Sequence, residues 1–255
     1  MALGAVLIDL SGVLYQGGAP LPGAAGALAR LRRAGLPLRF LTNTTRSPRR
    51  RILERLRAIG LEIREDELYS APQAALDHLL AHGLRPWLLI HPDLEEDFAA
   101  VPREPANAVL VGDAGGAFTY ERLNTAFRLL LERAPLLAMG RNRYFRDADG
   151  RLSLDAGPFV AALEYAAGVE AVVLGKPAAE FYHAVLHDLA CVPGDAVMIG
   201  DDVEADVHGA VAAGLRAVLV RTGKYRPGDE ADLPAGATVA DDFAAAVDGL
   251  LAETP

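Results

Sequence analysis

Ala5-Val6-Leu7-Ile8-Asp9-Leu10-Ser11-Gly12-Val13-Leu14-Tyr15 is the stretch from which the rest of the chain can be read. Its first four residues form an apolar run of the length and composition of a fully buried strand. Asp9 ends the run and Ser11-Gly12 turns the chain just behind it, so a carboxylate stands at the mouth of that strand. Three later segments repeat the arrangement: Leu41-Thr42-Asn43-Thr44 closes a second apolar strand, Gly175-Lys176-Pro177 follows a third, and Ile199-Gly200-Asp201-Asp202 closes a fourth. Singly, each has an ordinary structural explanation as a helix cap, a polar turn or an acidic helix start. Together, and in this order, they describe a phosphoryl-transfer site.

Strand-length apolar runs alternate with amphipathic helical patterns along most of the chain, as in a parallel sheet covered by helices on both faces. Strands are expected over 4–9, 37–42, 195–200 and 215–220, helices over 22–34, 48–60, 178–190 and 204–213, and a terminal helix from Asp241. A short extended piece at 68–70 and a helix over 72–82 lead to Gly83-Leu84-Arg85-Pro86, which reads as a boundary. The middle third has its own rhythm, with strands over 87–91, 108–112 and 136–139 and helices over 93–99 and 120–133. An irregular stretch over 140–158 and a helix over 159–167 complete it. The expected architecture is α/β: a Rossmann-like doubly wound parallel-sheet core in two parts, 1–82 and 171–255, with a smaller α/β cap domain, 83–170, inserted between them. In such sheets ligands bind beyond the carboxyl ends of the strands, where Asp9, Thr42, Lys176 and Asp201 all fall.

With 255 residues and 51% hydrophobic content the chain can bury a substantial core. Its formal charge of -9 argues against a nucleic-acid footprint. The one dense basic stretch, from Arg46 to Arg57, interleaves Ile52, Leu53, Leu56 and Ile59 at helical spacing and reads as a solvated helix face. No apolar run reaches the roughly 20 residues needed to cross a bilayer. The single cysteine, Cys191, fits a reducing compartment and a small buried side chain, so a cytoplasmic protein without membrane partners is expected. Only two lysines occur, Lys176 and Lys224. A lysine between Gly175 and Pro177, in a chain that otherwise uses arginine, points to a compact ammonium acting as a point charge.

The chemistry these segments need is consistent. An aspartate attacking phosphorus forms an aspartyl-phosphate and splits one hard hydrolysis into two easier displacements. A cation must offset the repulsion between carboxylate and phosphoryl oxygens, and Mg²⁺ suits an all-oxygen donor set. Asp9 and Asp201 can supply two of those oxygens and a backbone carbonyl just after Asp9 a third. Thr42 and Asn43 can hold phosphoryl oxygens, Lys176 can neutralise the developing charge, and Asp206 can anchor a metal-bound water or orient Lys176.

Asp9-x-Ser11-Gly12-Val13-Leu14, Thr42-Asn43, Gly175-Lys176-Pro177 and Gly200-Asp201-Asp202-x-x-x-Asp206 resemble the four motifs of the haloacid dehalogenase superfamily of phosphatases. The long insertion between the second and third resembles members with a type C2 cap. This resemblance implies that Asp9 is the nucleophile and a Mg²⁺ ligand, that Ser11 lends its backbone carbonyl to the metal, and that Asp201 completes the protein ligands, with Asp202 and Asp206 behind them. Thr42, Asn43 and Lys176 would bind phosphate. A cap covering the site and a homodimer are implied as well.

One position departs from the common pattern. Most phosphatases of the superfamily carry a second Asp two residues after the nucleophile to protonate the leaving group, and here it is Ser11, as in some relatives. A hydroxyl is too weak an acid for that task. Leaving groups that need little enzymatic acid are therefore expected, a phosphoramidate nitrogen or a metal-bound phosphate, and the resemblance implies phospholysine and phosphohistidine, small or on protein side chains, and inorganic pyrophosphate. The alternatives are a NagD-like phosphatase of sugar or nucleotide phosphates and a catalytically weak phospho-ligand or protein-binding module. Arg143 and Asp155, in the irregular stretch, are candidates for contact with the leaving group. His183 and His187, four apart on one helix, lack a third ligand nearby, and His91 reads as structural. Gly112 to Gly116 is a plain loop, and the resemblance implies that Val220 to Tyr225 is a loop near the site or a dimer contact.

Overall fold

β1 (Ala5–Asp9) is buried along its whole length, as a strand covered on both faces must be. The computed structural model describes residues 3–146 and 151–253. After β1 come the two-residue strands β2 (Tyr15–Gln16) and β3 (Ala19–Pro20), paired as a small antiparallel hairpin. They are followed by α1 (Ala24–Arg33), β4 (Leu38–Thr42), α2 (Arg49–Ala58), β5 (Leu68–Ser70) and α3 (Ala71–Ala81). The middle of the chain forms β6 (Pro86–Leu89), β7 (Ala108–Val111), α4 (Tyr120–Leu131), β8 (Leu136–Ala138), β9 (Tyr144–Arg146), β10 (Leu152–Leu154), α5 (Gly157–Ala167) and β11 (Val172–Val173). The return is α6 (Ala179–Asp188), β12 (Ala196–Gly200), α7 (Gly209–Ala212), β13 (Arg216–Val220), β14 (Ala237–Ala240) and α8 (Phe243–Glu253).

Two compact units result, one of residues 1–42, 50–69 and 176–255, the other of residues 43–49 and 70–175. The first holds a six-stranded sheet in the order β14-β13-β12-β1-β4-β5. Its pairings from β14 to β4 are all parallel. Val6 and Ile8 join the apolar cluster made with Leu28 and Leu31 of α1, Ile52 and Leu56 of α2 and Val247 and Leu250 of α8. Ala5 and Leu7, one residue out of phase, point to the opposite face. Ile8 lies beside Ile199, and Asp9 beside Leu41. This register brings Asp9, Thr42 and the turn after Gly200 to the same edge of the sheet.

The second unit has a four-stranded parallel sheet in the order β11-β8-β7-β6. Leu110 packs on one face with Ala71, Ala75 and Leu79 of α3 and with Leu94 and Phe98. Val109 and Val111 pack on the other with Ala126 and Leu130 of α4 and Val160 and Leu163 of α5. α3 thus belongs with the inserted unit, whereas the expected boundary lay after it, at 83. The segment 43–49 belongs there too: Asp113 donates its N–H to Thr45 Oγ1 at 3.2 Å, Arg46 pairs with Asp113 at 3.4 Å, and Arg49 donates its N–H to Asp97 at 3.1 Å.

Local differences from expectation have local causes. Residues 93–99, expected as an α-helix, form a tighter 3₁₀ run, Pro92–Phe98, opened by Pro92 and capped by the His91 imidazole, which accepts the Asp93 N–H at 3.2 Å. Part of the irregular stretch pairs as an antiparallel ribbon, Tyr144 opposite Leu154 and Phe145 opposite Ser153. Residues 147–150 of that stretch lie outside the described residues. The helix expected over 204–213 begins as a wide π-type turn, Val203–His208, before α7. No helix among the described residues is long and apolar enough to cross a membrane.

Candidate active site

Asp9, Thr42, Lys176, Asp201 and Asp206 are buried polar residues of the first unit, each retaining 8% of its surface or less. A desolvated carboxylate is costly unless it is paired. The Lys176 ammonium supplies the pairing, donating to Asp9 Oδ1 at 2.5 Å and to Asp206 Oδ1 at 2.6 Å. Burial works against its charge, but the Asp206 and Asp9 carboxylates outweigh burial and hold its pKa well above the ordinary lysine value.

Asp206 reaches this position because the turn after β12 is wound around it. Its Oδ2 accepts the N–H groups of Asp201 and Asp202, each at 3.2 Å. Gly200 leaves the room, since a Cβ there would stand 2.2 Å from the Asp206 Cβ. Asp202 caps the turn, accepting the N–H groups of Glu204 and Ala205 at 3.1 and 2.9 Å. The buried Tyr182 hydroxyl donates to the Ala205 carbonyl at 2.6 Å and fixes the turn from below. Burial and the Asp206 charge raise the Tyr182 pKa well above that of an ordinary phenol, so it stays a donor.

Asp201 is held from the other side. Its Oδ2 accepts the backbone N–H of Lys224 at 2.7 Å, in the loop after β13. Gly12 and Gly223 flank that oxygen, both at positive φ. A Cβ on either would come within 2.0 or 1.9 Å of it, so the two backbones close on the carboxylate only because both are glycine. Thr222 Oγ1 donates to the Gly12 carbonyl, tying the same loop to the segment after the nucleophile. The Lys224 ammonium pairs with Asp202 Oδ2 at 2.8 Å. Both lysines therefore serve one acidic cluster. The sequence singles out Lys176 for its chemistry, whereas for the loop that carries Lys224 the resemblance implies only a place near the site or a dimer contact and gives its lysine no role.

One carboxylate oxygen from each of Asp9, Asp201 and Asp206 lies within 4.8 Å of the others, a spacing that could hold a metal ion. Each Asp206 oxygen already accepts from Lys176 or from two backbone amides, which leaves Asp9 and Asp201 as the better donors. Burial, then the charges of Asp9 and Asp206, push the Asp201 pKa up to about 8, and burial raises Asp206 to about 6 despite Lys176. Carboxylates crowded this far from their ordinary range fit a cation site.

These shifts fix the pH dependence of the metal-free protein. A carboxyl whose folded pKa lies above its unfolded value binds more protons folded than unfolded, so its contribution to stability falls as pH rises. Between pH 5 and 8, in the absence of divalent ions, the melting temperature is expected to fall by roughly 3 °C or more. Thermal unfolding across that range in chelator checks it; a flat or rising profile contradicts the assigned shifts.

The remaining residues singled out in the sequence are placed as follows. Ser11 is exposed beside Asp9 in sequence, and Asn43 begins the second unit directly after Thr42. Arg143 and Asp155 meet through their backbones, the Asp155 N–H donating to the Arg143 carbonyl at 3.3 Å, and the Asp155 carboxylate accepts the Ala156 N–H at 2.7 Å. His183 contacts the Ala213 carbonyl at 3.1 Å, and Cys191 is half-buried with no other cysteine to pair with.

A buried ammonium and three buried carboxylates thus lie together at the carboxyl edge of a parallel sheet. Residues 6–101 match the haloacid dehalogenase-like hydrolase family and residues 173–246 the HAD-hydrolase-like family. A phospholysine phosphohistidine inorganic pyrophosphate phosphatase of Danio rerio is 44% identical over 253 residues, covering 96% of this chain and 93% of the relative. The haloacid dehalogenase-like hydrolase domain-containing protein 2 of Rattus norvegicus is 46% identical over 250 residues, covering 98% and 96%. Among solved structures, a glycerol phosphate phosphatase of Mycobacterium tuberculosis in complex with magnesium is similar at a TM-score of 0.82 and 26% identity, over 94% of this chain and 75% of that one. The chain belongs to the haloacid dehalogenase-like hydrolase family and is one of its phosphatases.

Proposed function

We propose that this chain is a Mg²⁺-dependent phosphatase that works through an aspartyl-phosphate on Asp9 and prefers phosphoramidates, such as phospholysine and phosphohistidine, and inorganic pyrophosphate. The observation that carries it is the buried ammonium of Lys176 held at 2.5 Å from Asp9 and 2.6 Å from Asp206. The activity named for the Danio rerio relative and the magnesium named for the Mycobacterium tuberculosis structure support the substrate class and the metal.

In this reading Asp9, Asp201 and the Ser11 carbonyl hold Mg²⁺, with Asp202 and Asp206 behind them. Bound there, the ion supplies positive charge that offsets the repulsion between the nucleophile and the phosphoryl oxygens. Asp9 attacks phosphorus and forms an acyl phosphate as the bond from phosphorus to the leaving nitrogen or oxygen breaks, and water then cleaves the acyl phosphate to inorganic phosphate and restores the carboxylate. Lys176, fixed in place by Asp206, balances the charge that builds on the transferred group, and being preorganised it needs no rearrangement as the reaction proceeds. Thr42, at the end of β4, and Asn43, the next residue in the chain, hold phosphoryl oxygens. A cytoplasmic location and a homodimer belong to the same proposal, and light scattering on the purified protein tests the second.

Ser11 sets the leaving group. Its hydroxyl cannot protonate a departing alkoxide efficiently, whereas an amine can take its proton from solvent and phosphate departs without one. Turnover of phospholysine, pyrophosphate, an aryl phosphate and a sugar phosphate is expected in that descending order. Ser11→Asp should raise sugar-phosphate turnover by roughly 10²-fold. A wild type for which the sugar phosphate is much the best substrate would replace this preference with the NagD-like alternative.

A further inference from the structure

We propose that Lys224 is a positioning residue for the metal-binding carboxylate: its ammonium clamps Asp202 so that its own backbone N–H holds Asp201 Oδ2 and leaves the remaining oxygen of Asp201 for the cation. The inference rests on the Mg²⁺ reading of the site and adds to it a residue outside the four motifs.

The contacts form a closed circuit. Lys224 Nζ donates to Asp202 Oδ2 at 2.8 Å, and the other Asp202 oxygen accepts the N–H groups of Glu204 and Ala205. Those residues lie in the turn Val203–His208 that carries Asp206, and the Asp206 carboxylate accepts the N–H groups of Asp201 and Asp202 while pairing with Lys176. From Lys224 the circuit returns along its own backbone, whose N–H reaches Asp201 Oδ2 at 2.7 Å. Of the charged side chains in these links that of Lys224 is the most exposed, at 64% of its surface against 25% for Asp202. It is the one staple that can be removed without opening a cavity. The loop has other anchors besides the Lys224 ammonium: Thr222 donates its hydroxyl to the Gly12 carbonyl, and Arg221 pairs with Glu230 at 2.9 Å and Asp241 at 2.7 Å. Losing the Lys224 ammonium should therefore loosen the Lys224 backbone N–H that holds Asp201 while Thr222 and Arg221 keep the rest of the loop in place.

Two effects of removing Lys224 oppose each other, and this makes the test decisive. If the ammonium acted only as a nearby positive charge, its loss would tighten cation binding. If it positions Asp201, its loss weakens cation binding, as mutations of groups that orient metal ligands commonly do by tenfold or more. Titration calorimetry of Mg²⁺ into wild type, Lys224→Met and Lys224→Arg reads the sign directly, without substrate. The expected result is affinity weaker by roughly 10-fold in Lys224→Met and within about 3-fold of wild type in Lys224→Arg, which keeps the charge-assisted bond to Asp202. At saturating Mg²⁺ the kcat of Lys224→Met should recover to within about 3-fold of wild type with KM for substrate unchanged, because Asp9 and Lys176 are untouched. Unchanged or tighter Mg²⁺ binding by Lys224→Met overturns the inference and leaves the proposed function standing. Absence of Mg²⁺ binding by the wild type overturns the metal reading itself. Should Lys224→Met fail to fold, Lys224→Gln in the same titration decides between the same two signs.

Discussion

Asp9→Asn is expected to bring phosphate release to background, a fall of at least about 10⁴-fold, with the folded core intact. The amide has nearly the same shape as the carboxylate but no anionic oxygen to attack phosphorus, so the covalent route closes at its first step. Loss of the fold should not accompany the loss of turnover. Lys176 keeps its second partner, Asp206, at 2.6 Å. One of the charges that raises the Asp201 pKa is removed as well, since Asp9 is the largest contributor after burial. In chelator at pH 8 the variant should therefore melt at the same temperature as wild type or above it. Phosphate release and thermal unfolding, measured together, separate three outcomes. An inactive but stable variant supports Asp9 as nucleophile. An active variant removes it from that role. Background release from both wild type and variant leaves only a module that binds phospho-ligands.

The elements that place Asp9 were legible because each depends on a strong, short-range signal. Ala5 to Ile8 and Val197 to Ile199 beside it are apolar runs of strand length, each closed at once by turn residues, and those bounds favour a buried strand over a helix. What could not be read depends on weak contrast or on distance along the chain. β14 is a strand of Ala, Thr, Val and Ala at the edge of the sheet, half-exposed and too weakly apolar to stand out. α3 has alanine and leucine on several sides, so its sequence gives no hint of which sheet it covers; Ala71, Ala75 and Leu79 join the second unit. The turn after Asp202 departs from the expected α-helix because Asp206 must turn back to meet Lys176 and two amides, a tertiary demand that a local pattern does not carry. Gly12 and Gly223 show the limit most directly. Each looks like an ordinary turn glycine, and only their approach over the Asp201 carboxylate explains why neither tolerates a side chain.

Lys176→Met should lose activity by about 10³-fold or more and, unlike Asp9→Asn, should also destabilise the protein in a pH-dependent way. The ammonium is buried and is the partner of two buried carboxylates at 2.5 and 2.6 Å. Removing it leaves those charges without compensation, and breaking a buried pair from one side commonly costs about 3–5 kcal/mol. The carboxyls have an escape, because they can take up protons, and Asp201 and Asp206 already titrate near 8 and 6 with the ammonium present. The cost should therefore be large at pH 8 and much smaller at pH 5, where protonation does what the ammonium did. Urea unfolding of wild type and Lys176→Met at both values, in chelator, measures the difference directly. Lys176→Arg is expected to fail as a rescue: the guanidinium is broader than an ammonium that stands 2.5 Å from Asp9 and 2.6 Å from Asp206. A Lys176→Met variant equally stable relative to wild type at both pH values would mean that the lysine does not compensate these carboxylates. The electrostatic basis assigned to the site would then have to be abandoned, even if turnover were lost.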